Sequence, residues 1–343
     1  MNPITFYAAP DVAGALAHGG EGMYIAGGTN LIDLMKEAVI RTPALIDING
    51  LQLDGITPSA SGGLLLGATA RNADTAYHPL VRSDYPVLTA AILAGASPQI
   101  RNMASNGGNL LQRTRCYYFY DVSVPCNKRD PGSGCSAIGG LTRQHAILGA
   151  SDACIATHPS DMCVALAALG ATVQVQSEDG VRRIPFDQFH RLPGDAPERD
   201  TTLLPGELIT QIELPPASQF AAHSAYLKLR DRASYAFALV SVAAMLDIGA
   251  DGLVREARLA LGGVAHKPWR MPEAEALLAG RPPARPAFAA AAEALLQGAR
   301  GQGQNDFKIV MARRAVIRAL EQAAQGTHDN SHQQAASGSE EPT

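Results

Sequence analysis

The pattern of apolar and polar positions divides the chain into short elements. Val12, Ala15 and Leu16 repeat at helical spacing behind Asp11, which predicts a short helix capped by that aspartate. "MYIAGG" at 23–28 predicts a buried strand ending in a glycine turn, and "ALIDI" at 44–48 a second strand. Farther on, "GLLLGATA" at 63–70 reads as a strand and "YPVLTAAILAGA" at 85–96 as a helix with Pro86 near its start. "ATVQVQSEDGVRRIPF" at 171–186 reads as two strands about an Asp-Gly turn, and "GELITQIELP" at 206–215 alternates as a strand. Two long strand-like runs follow at 224–248 and 253–264. Helical periodicity then appears in "MPEAEALLAG" at 271–280 and in 306–325, where Ile309, Ala312, Val316 and Leu320 share a face.

These elements group into an α/β unit over 1–55, a second over 56–217 and a third segment over 218–326. The last stretch, 327–343, lacks large apolar residues and is expected to be disordered. With 343 residues, 46% hydrophobic and 17% charged, the chain can bury a sizeable core. A formal charge of −4 and 5% aromatic residues argue against nucleic acid as a partner. No apolar run is long enough for a membrane span, and the first residues lack the charged and apolar regions of a signal peptide. The chain by itself therefore points to the cytoplasm.

The five cysteines change this picture. Cys116, Cys126 and Cys135 fall within 21 residues, and Cys154 and Cys163 follow. The intervals of nine, eight, 18 and eight residues, with Pro125, Pro131, Gly132 and Gly134 between, describe a wrapping loop over 113–155 and not a hooked zinc knuckle. A loop of that length calls for a function, and clustered thiols favour a metal over scattered structural thiols. Spacing alone leaves zinc and an iron–sulfur cluster both open. Cys163, Leu166, Ala167 and Gly170 recur at helical spacing, so Cys163 reads as a small buried helix residue. Cys116, Cys126, Cys135 and Cys154 remain as candidate ligands.

Two glycine loops form a second constellation. In "YIAGGTNLIDLMK" at 24–36 a strand runs into Gly27-Gly28 and then a helix, where backbone N–H groups can crowd a phosphate. A plain strand-turn-helix junction needs glycines as well. In "IRNMASNGGNLLQ" at 100–112, Ser105, Gly107, Gly108 and Asn109 make a second tight loop, and Cys116 begins just beyond it. A pyrophosphate between the loops would be held by many backbone donors.

"AGGTNLIDLMK", "IRNMASNGGN", "HPSDM" and "LALGGVAHKPWR" together resemble the FAD-binding medium subunit of the molybdenum hydroxylases, over about residues 3–325. The cysteine insertion is similar to that of the bacterial periplasmic aldehyde oxidoreductase subunit, which carries a 4Fe-4S cluster there. The resemblance implies an α+β fold: a two-subdomain FAD-binding module of the vanillyl-alcohol-oxidase type, then a C-terminal α+β domain of the CO dehydrogenase flavoprotein type. It implies that Ala26, Gly27, Gly28, Thr29, Asn30, Leu31 and Ile32 line the FAD pyrophosphate, and that Ser105, Gly107, Gly108 and Asn109 form the facing loop. At Asn106 the chain departs from an apolar position in the family, which bears on how that loop packs. Asp161 is implied to bond the flavin nucleotide, although Ser160 and Asp161 also suit a helix cap. Lys228 matches a lysine near the flavin, against the alternative of a solvated strand charge, and Ile209, with Leu208, falls near a further contact.

The implied enzyme is a heterotrimer. A large molybdopterin subunit oxidises an aldehyde, a small subunit with two 2Fe-2S clusters relays the electrons, and FAD here passes them to an external acceptor. No catalytic acid, base or nucleophile is expected in this chain, and His158 reads as structural. Arg115, Lys128 and Arg129 stand close to the thiols in sequence and are expected to raise the cluster potential. Export would depend on a twin-arginine signal carried by a partner, placing the complex in the periplasm. Two rival readings are a stand-alone flavin oxidase and a zinc-stabilised assembly module.

Overall fold

The structure is a computed structural model that describes residues 3–327. β1 (Thr5–Ala8), β2 (Met23–Ile25) and β3 (Ala44–Asp47) form a parallel sheet in the order β1-β3-β2. Asp11 caps the helix Val12–Ala17, accepting from the Gly14 N–H at 2.7 Å. β4 (Ile56–Pro58), β5 (Leu64–Gly67), β6 (Thr172–Ser177), β7 (Gly180–Pro185) and β8 (Leu208–Leu214) form an antiparallel sheet in the order β4-β5-β8-β6-β7. β9 (Ser224–Leu229), β10 (Val240–Ile248) and β11 (Val254–Gly262) form a third, also antiparallel, in the order β11-β10-β9. This is a mixed α+β layout. Among the described residues, no helix is long and apolar enough to cross a membrane.

The nine residues of the helix Asp161–Leu169 are all buried. It packs with the helix Pro86–Ala94 on one side and with β10 and β11 on the other. β10 is buried on both faces. Ala243 and Met245 join the core beneath this helix, whereas Val242, Ala244 and Leu246 meet Ala312, Val316 and Leu320 of the helix Phe307–Gln325. Double burial explains why "VSVAAML" shows no polar alternation.

Some expectations need correction. Cys163, Leu166 and Ala167 do not mark one apolar face, because the helix is enclosed all round, and Gly170 lies beyond it as a left-handed cap with φ 69°. The helix in "MPEAEALLAG" covers only Pro272–Ala276. A helix at Arg285–Leu295 is absent from the sequence reading. Thr327, placed at the start of the expected tail, is tied down: its N–H donates to Ala222 O at 2.9 Å and its hydroxyl accepts from the Ser224 N–H. The rest of that tail, 328–343, lies outside the described residues.

From Asp121 to Ser160 the chain carries no helix or strand, only turns, bends and isolated bridges. It is anchored by buried charge. Asp200 pairs with Lys128 and with Arg113 at 2.7 Å, and His266 Nε2 stands 3.9 Å away. The surrounding cations hold the Asp200 carboxyl well below its ordinary range, against the opposing effect of burial. Lys308, fully buried on the long helix, donates to the carbonyls of His145 at 2.8 Å and Gly263 at 2.6 Å, and burial pushes its pKa down to about 7.

Asp200→Asn leaves Lys128 buried beside a neutral partner. Because the Asp200 side chain remains about a quarter exposed, the expected cost is discounted to about 2–3 kcal/mol at neutral pH, read from urea unfolding. A depressed carboxyl pKa contributes stability present above the unfolded value of 3.8 and lost as pH falls below it. The gap between wild type and variant should therefore narrow as pH falls below about 4.

Candidate functional site

The first glycine loop leaves β2 and enters the helix Leu31–Lys36. A Cβ on Gly27 would lie 1.8 Å from the Met103 carbonyl oxygen, so the two loops meet backbone against backbone. Gly28 has φ +70°, a conformation that favours glycine. Among the described residues, nothing accepts a hydrogen bond from the N–H groups of Gly28, Thr29 or Asn30. These donors suit an anion.

The second loop behaves differently. Its N–H groups are bonded within the protein: Asn106 to Ala70 O at 2.9 Å, Gly107 to Ala68 O at 2.8 Å, Gly108 to Ser105 Oγ at 3.2 Å and Asn109 to Ser105 O at 2.9 Å. Among the described residues, the donors left without a partner thus lie on the first loop, while those of the second bond within the protein. Asn106 is fully buried and satisfied: its Oδ1 accepts from Asn72 at 3.0 Å and Thr75 at 3.1 Å, and its Nδ2 lies 2.9 Å from Thr75 Oγ1. These partners account for a polar residue at this position.

Between the loops, β9 and the buried helix runs a cleft of about 470 Å³, a size usual for cofactor sites. Of the residues expected to bind cofactor, Thr29, Asn30, Asn109, Asp161 and Lys228 line it. Ala26, Gly27, Gly28, Leu31, Ile32, Ser105, Gly107 and Gly108 belong to the loops but not to its lining. Ile209 sits in the core on β8, also outside the lining. The sequence reading missed Asn72, Gln112, Tyr235 and Phe237, and it did not place Arg115 in this cleft. No motif marks these positions.

Lys228 is buried and pairs with Asp161 at 2.7 Å while donating to Ala94 O at 3.1 Å, so it is not a solvated charge. Ser160, not Asp161, caps the helix, accepting from the Cys163 N–H at 3.0 Å. The Asp161 carboxylate instead accepts from Lys228 and from the Tyr226 hydroxyl at 2.7 Å. Burial first, and Asp161 second, push the Tyr226 pKa well above its ordinary value.

Cys116, Cys126, Cys135 and Cys154 line one small cavity together with Phe119, Lys128 and Ala137. Cys126 and Cys135 face each other across an isolated bridge. Burial pushes Cys116 up to about 12, against backbone N–H groups of Phe119 and Tyr118 that favour its thiolate. Cys154 is likewise raised to about 11 by burial, with Lys128 opposing. Burial thus favours the neutral thiol at Cys116 and Cys154, and a cation beside them would offset it. Four sulfurs on one zinc would stand about 3.8 Å apart. Among the described residues, however, the only three or more ligand atoms within 4.8 Å of one another belong to His158, Cys163 and His190. The loop thiols are therefore spaced too widely to hold a single ion.

Two hydrogen bonds within the protein fix the tautomers of the two histidines in this trio. His158 Nδ1 accepts from the Ser160 N–H at 3.3 Å, which leaves a proton on Nε2 in place of a ligand lone pair, and His190 Nε2 donates to Leu110 O at 2.8 Å. The basic residues are also largely spent. Arg129 donates to the carbonyls of Tyr118 at 2.9 Å and Phe119 at 2.8 Å, Lys128 holds Asp200, and Arg115 reaches Asn30 Oδ1 and Tyr120.

Residues 7–217 match the FAD binding domain in molybdopterin dehydrogenase, and 224–323 match the CO dehydrogenase flavoprotein C-terminal domain. The chain is 51% identical over 301 residues to the aldehyde oxidoreductase FAD-binding subunit PaoB of Escherichia coli (strain K12), covering 88% of this chain and 91% of that protein. It is 26% identical to the carbon monoxide dehydrogenase medium chain of Afipia carboxidovorans, covering 87% and 88%. Among solved structures, the carbon monoxide dehydrogenase from Hydrogenophaga pseudoflava matches with a TM-score of 0.73 and 26% identity, covering 94% of this chain and 97% of that one.

Gly27→Ala must separate the loops, and the purified variant is expected to hold far less than one FAD per chain, measured by flavin absorbance. Lys228→Met strands the buried Asp161 carboxylate, at an expected cost of about 3–5 kcal/mol in urea unfolding. The double change Lys228→Met with Asp161→Asn should cost less than Lys228→Met alone.

Proposed function

The chain belongs to the FAD-binding medium subunits of the molybdenum hydroxylases, and on that premise we propose that it carries FAD and a 4Fe-4S cluster within a heterotrimeric aldehyde oxidoreductase. Its partners are a large molybdopterin subunit, which oxidises the substrate, and a small subunit with two 2Fe-2S clusters. Bound FAD would supply the exchange between one-electron carriers and an external acceptor.

The observation that carries the reading is a juncture of two sites across one peptide. Arg115 lines the cleft and bonds Asn30 of the first glycine loop, while the next residue, Cys116, lines the cavity with the other three thiols. Cys116, Cys126, Cys135 and Cys154 would hold the cluster. The chain's own contribution is position: unused N–H groups of Gly28, Thr29 and Asn30 for the pyrophosphate, and the fixed Lys228–Asp161 pair at the side of the cleft. The wide spacing of the thiols disfavours the zinc-stabilised module. A stand-alone oxidase leaves the thiol cavity without a role.

Anaerobically purified protein should contain one FAD and about four iron atoms per chain, with a broad iron–sulfur absorption beneath the flavin bands. Cys126→Ser should remove the iron and that absorption while the flavin stays. Flavin without iron in the wild type would overturn the cluster assignment, and aldehyde turnover by the isolated chain would overturn the subunit role.

A further inference from the structure

One histidine touches a thiol of the cavity. His145 Nε2 lies 3.1 Å from Cys116 Sγ, and among the described residues no other side chain hydrogen-bonds the sulfur of Cys116, Cys126, Cys135 or Cys154. His145 is 2% exposed, and its Nδ1 is buried without a partner, so among the described residues the sulfur is the only atom its ring hydrogen-bonds. Its backbone is held from three directions. The N–H donates to Thr142 O at 2.9 Å, and the carbonyl accepts from Asn305 Nδ2 at 2.9 Å and Lys308 Nζ at 2.8 Å. Asn305 and Lys308, both buried, come from the C-terminal domain. The backbone that carries the ring is thus held by a part of the chain remote from the cysteine loop.

Cys116 is also the one of the four cysteines that lines a small cavity beside the cleft. Together with His145 it lines a passage of about 20 Å³, room for about one water, whose walls include Arg115, Pro159, Ser160 and Phe237. Those four residues also line the large cleft.

We propose that His145 is a positioning residue that raises the reduction potential of the iron–sulfur centre by donating a hydrogen bond from Nε2 to the Cys116 sulfur. The inference rests on the cluster reading above. An iron-bound thiolate has no proton, so the only hydrogen available between these two atoms is the imidazole's, and the direction of the bond follows. A donor to a ligand sulfur draws charge from it and favours the reduced centre. The effect falls on the ligand next in sequence to Arg115 of the cleft, where it would bias electron exchange across the Arg115–Cys116 peptide.

The test is an EPR-monitored redox titration of the whole anaerobic protein as wild type, His145→Phe and His145→Gln, with iron counted in each. The expected result is a lower midpoint in His145→Phe at unchanged iron content, and an intermediate midpoint in His145→Gln, whose amide can still donate. Pulsed EPR of reduced wild type labelled with nitrogen-15 histidine should show coupling to one histidine nitrogen, absent in His145→Phe. An unchanged midpoint in an iron-loaded His145→Phe overturns the proposal. If that variant loses its iron, absence of histidine coupling in the labelled wild type overturns it instead. Wild type purified without iron fails the cluster reading itself, and the iron count reveals this before any potential is measured.

Discussion

The burial of one short helix organises the molecule. Every residue of Asp161–Leu169 is enclosed, with the helix Pro86–Ala94 on one side and β10 and β11 on the other. A helix with no solvent face cannot rotate or slide without opening a void on some side, and protein interiors are too densely packed to permit that. Its N-terminus is therefore a fixed point. Asp161 meets the cleft there, and Cys154 lies a few residues upstream.

Charge is buried where the parts of the fold meet. Lys228 on β9 pairs with Asp161 on the enclosed helix. Lys128 in the cysteine loop pairs with Asp200 far along the chain. Lys308 on the last long helix binds carbonyls of His145 and Gly263. Such groups are costly to bury and tolerable only in one geometry, so each excludes alternative arrangements of the segments it joins. A loop of about forty residues without helix or strand keeps its thiols together because Lys128, Arg129 and the carbonyl of His145 are each held by fixed partners.

The candidate site was only partly legible in the sequence. Gly27 and Gly28 could be read because a close backbone approach and a positive φ leave few alternatives to glycine, and the four loop cysteines because thiols are scarce elsewhere. Asp161 and Lys228 were legible as positions through the family resemblance, but their mutual pairing was not. Arg115 appeared to be a charge beside a thiol and instead reaches Asn30 in the cleft. His145 carried no signal at all, since a histidine in "LTRQHAILG" resembles any other. The amides of the second glycine loop bond within the protein, which a string of glycines does not reveal.

Local chemistry determined much by itself. Alternation and apolar runs specified β5 to β8 and β11, and Asp11 its helix cap, because these features depend on neighbours in sequence. Cysteine spacing likewise required a wrapping loop. Tertiary structure alone decided which sulfurs share a cavity, which donors remain for an anion, and which buried cation answers which carboxylate. Each of those depends on residues tens to more than a hundred positions apart, such as the 67 between Asp161 and Lys228, brought together when apolar surfaces pack, and no local pattern records such a contact.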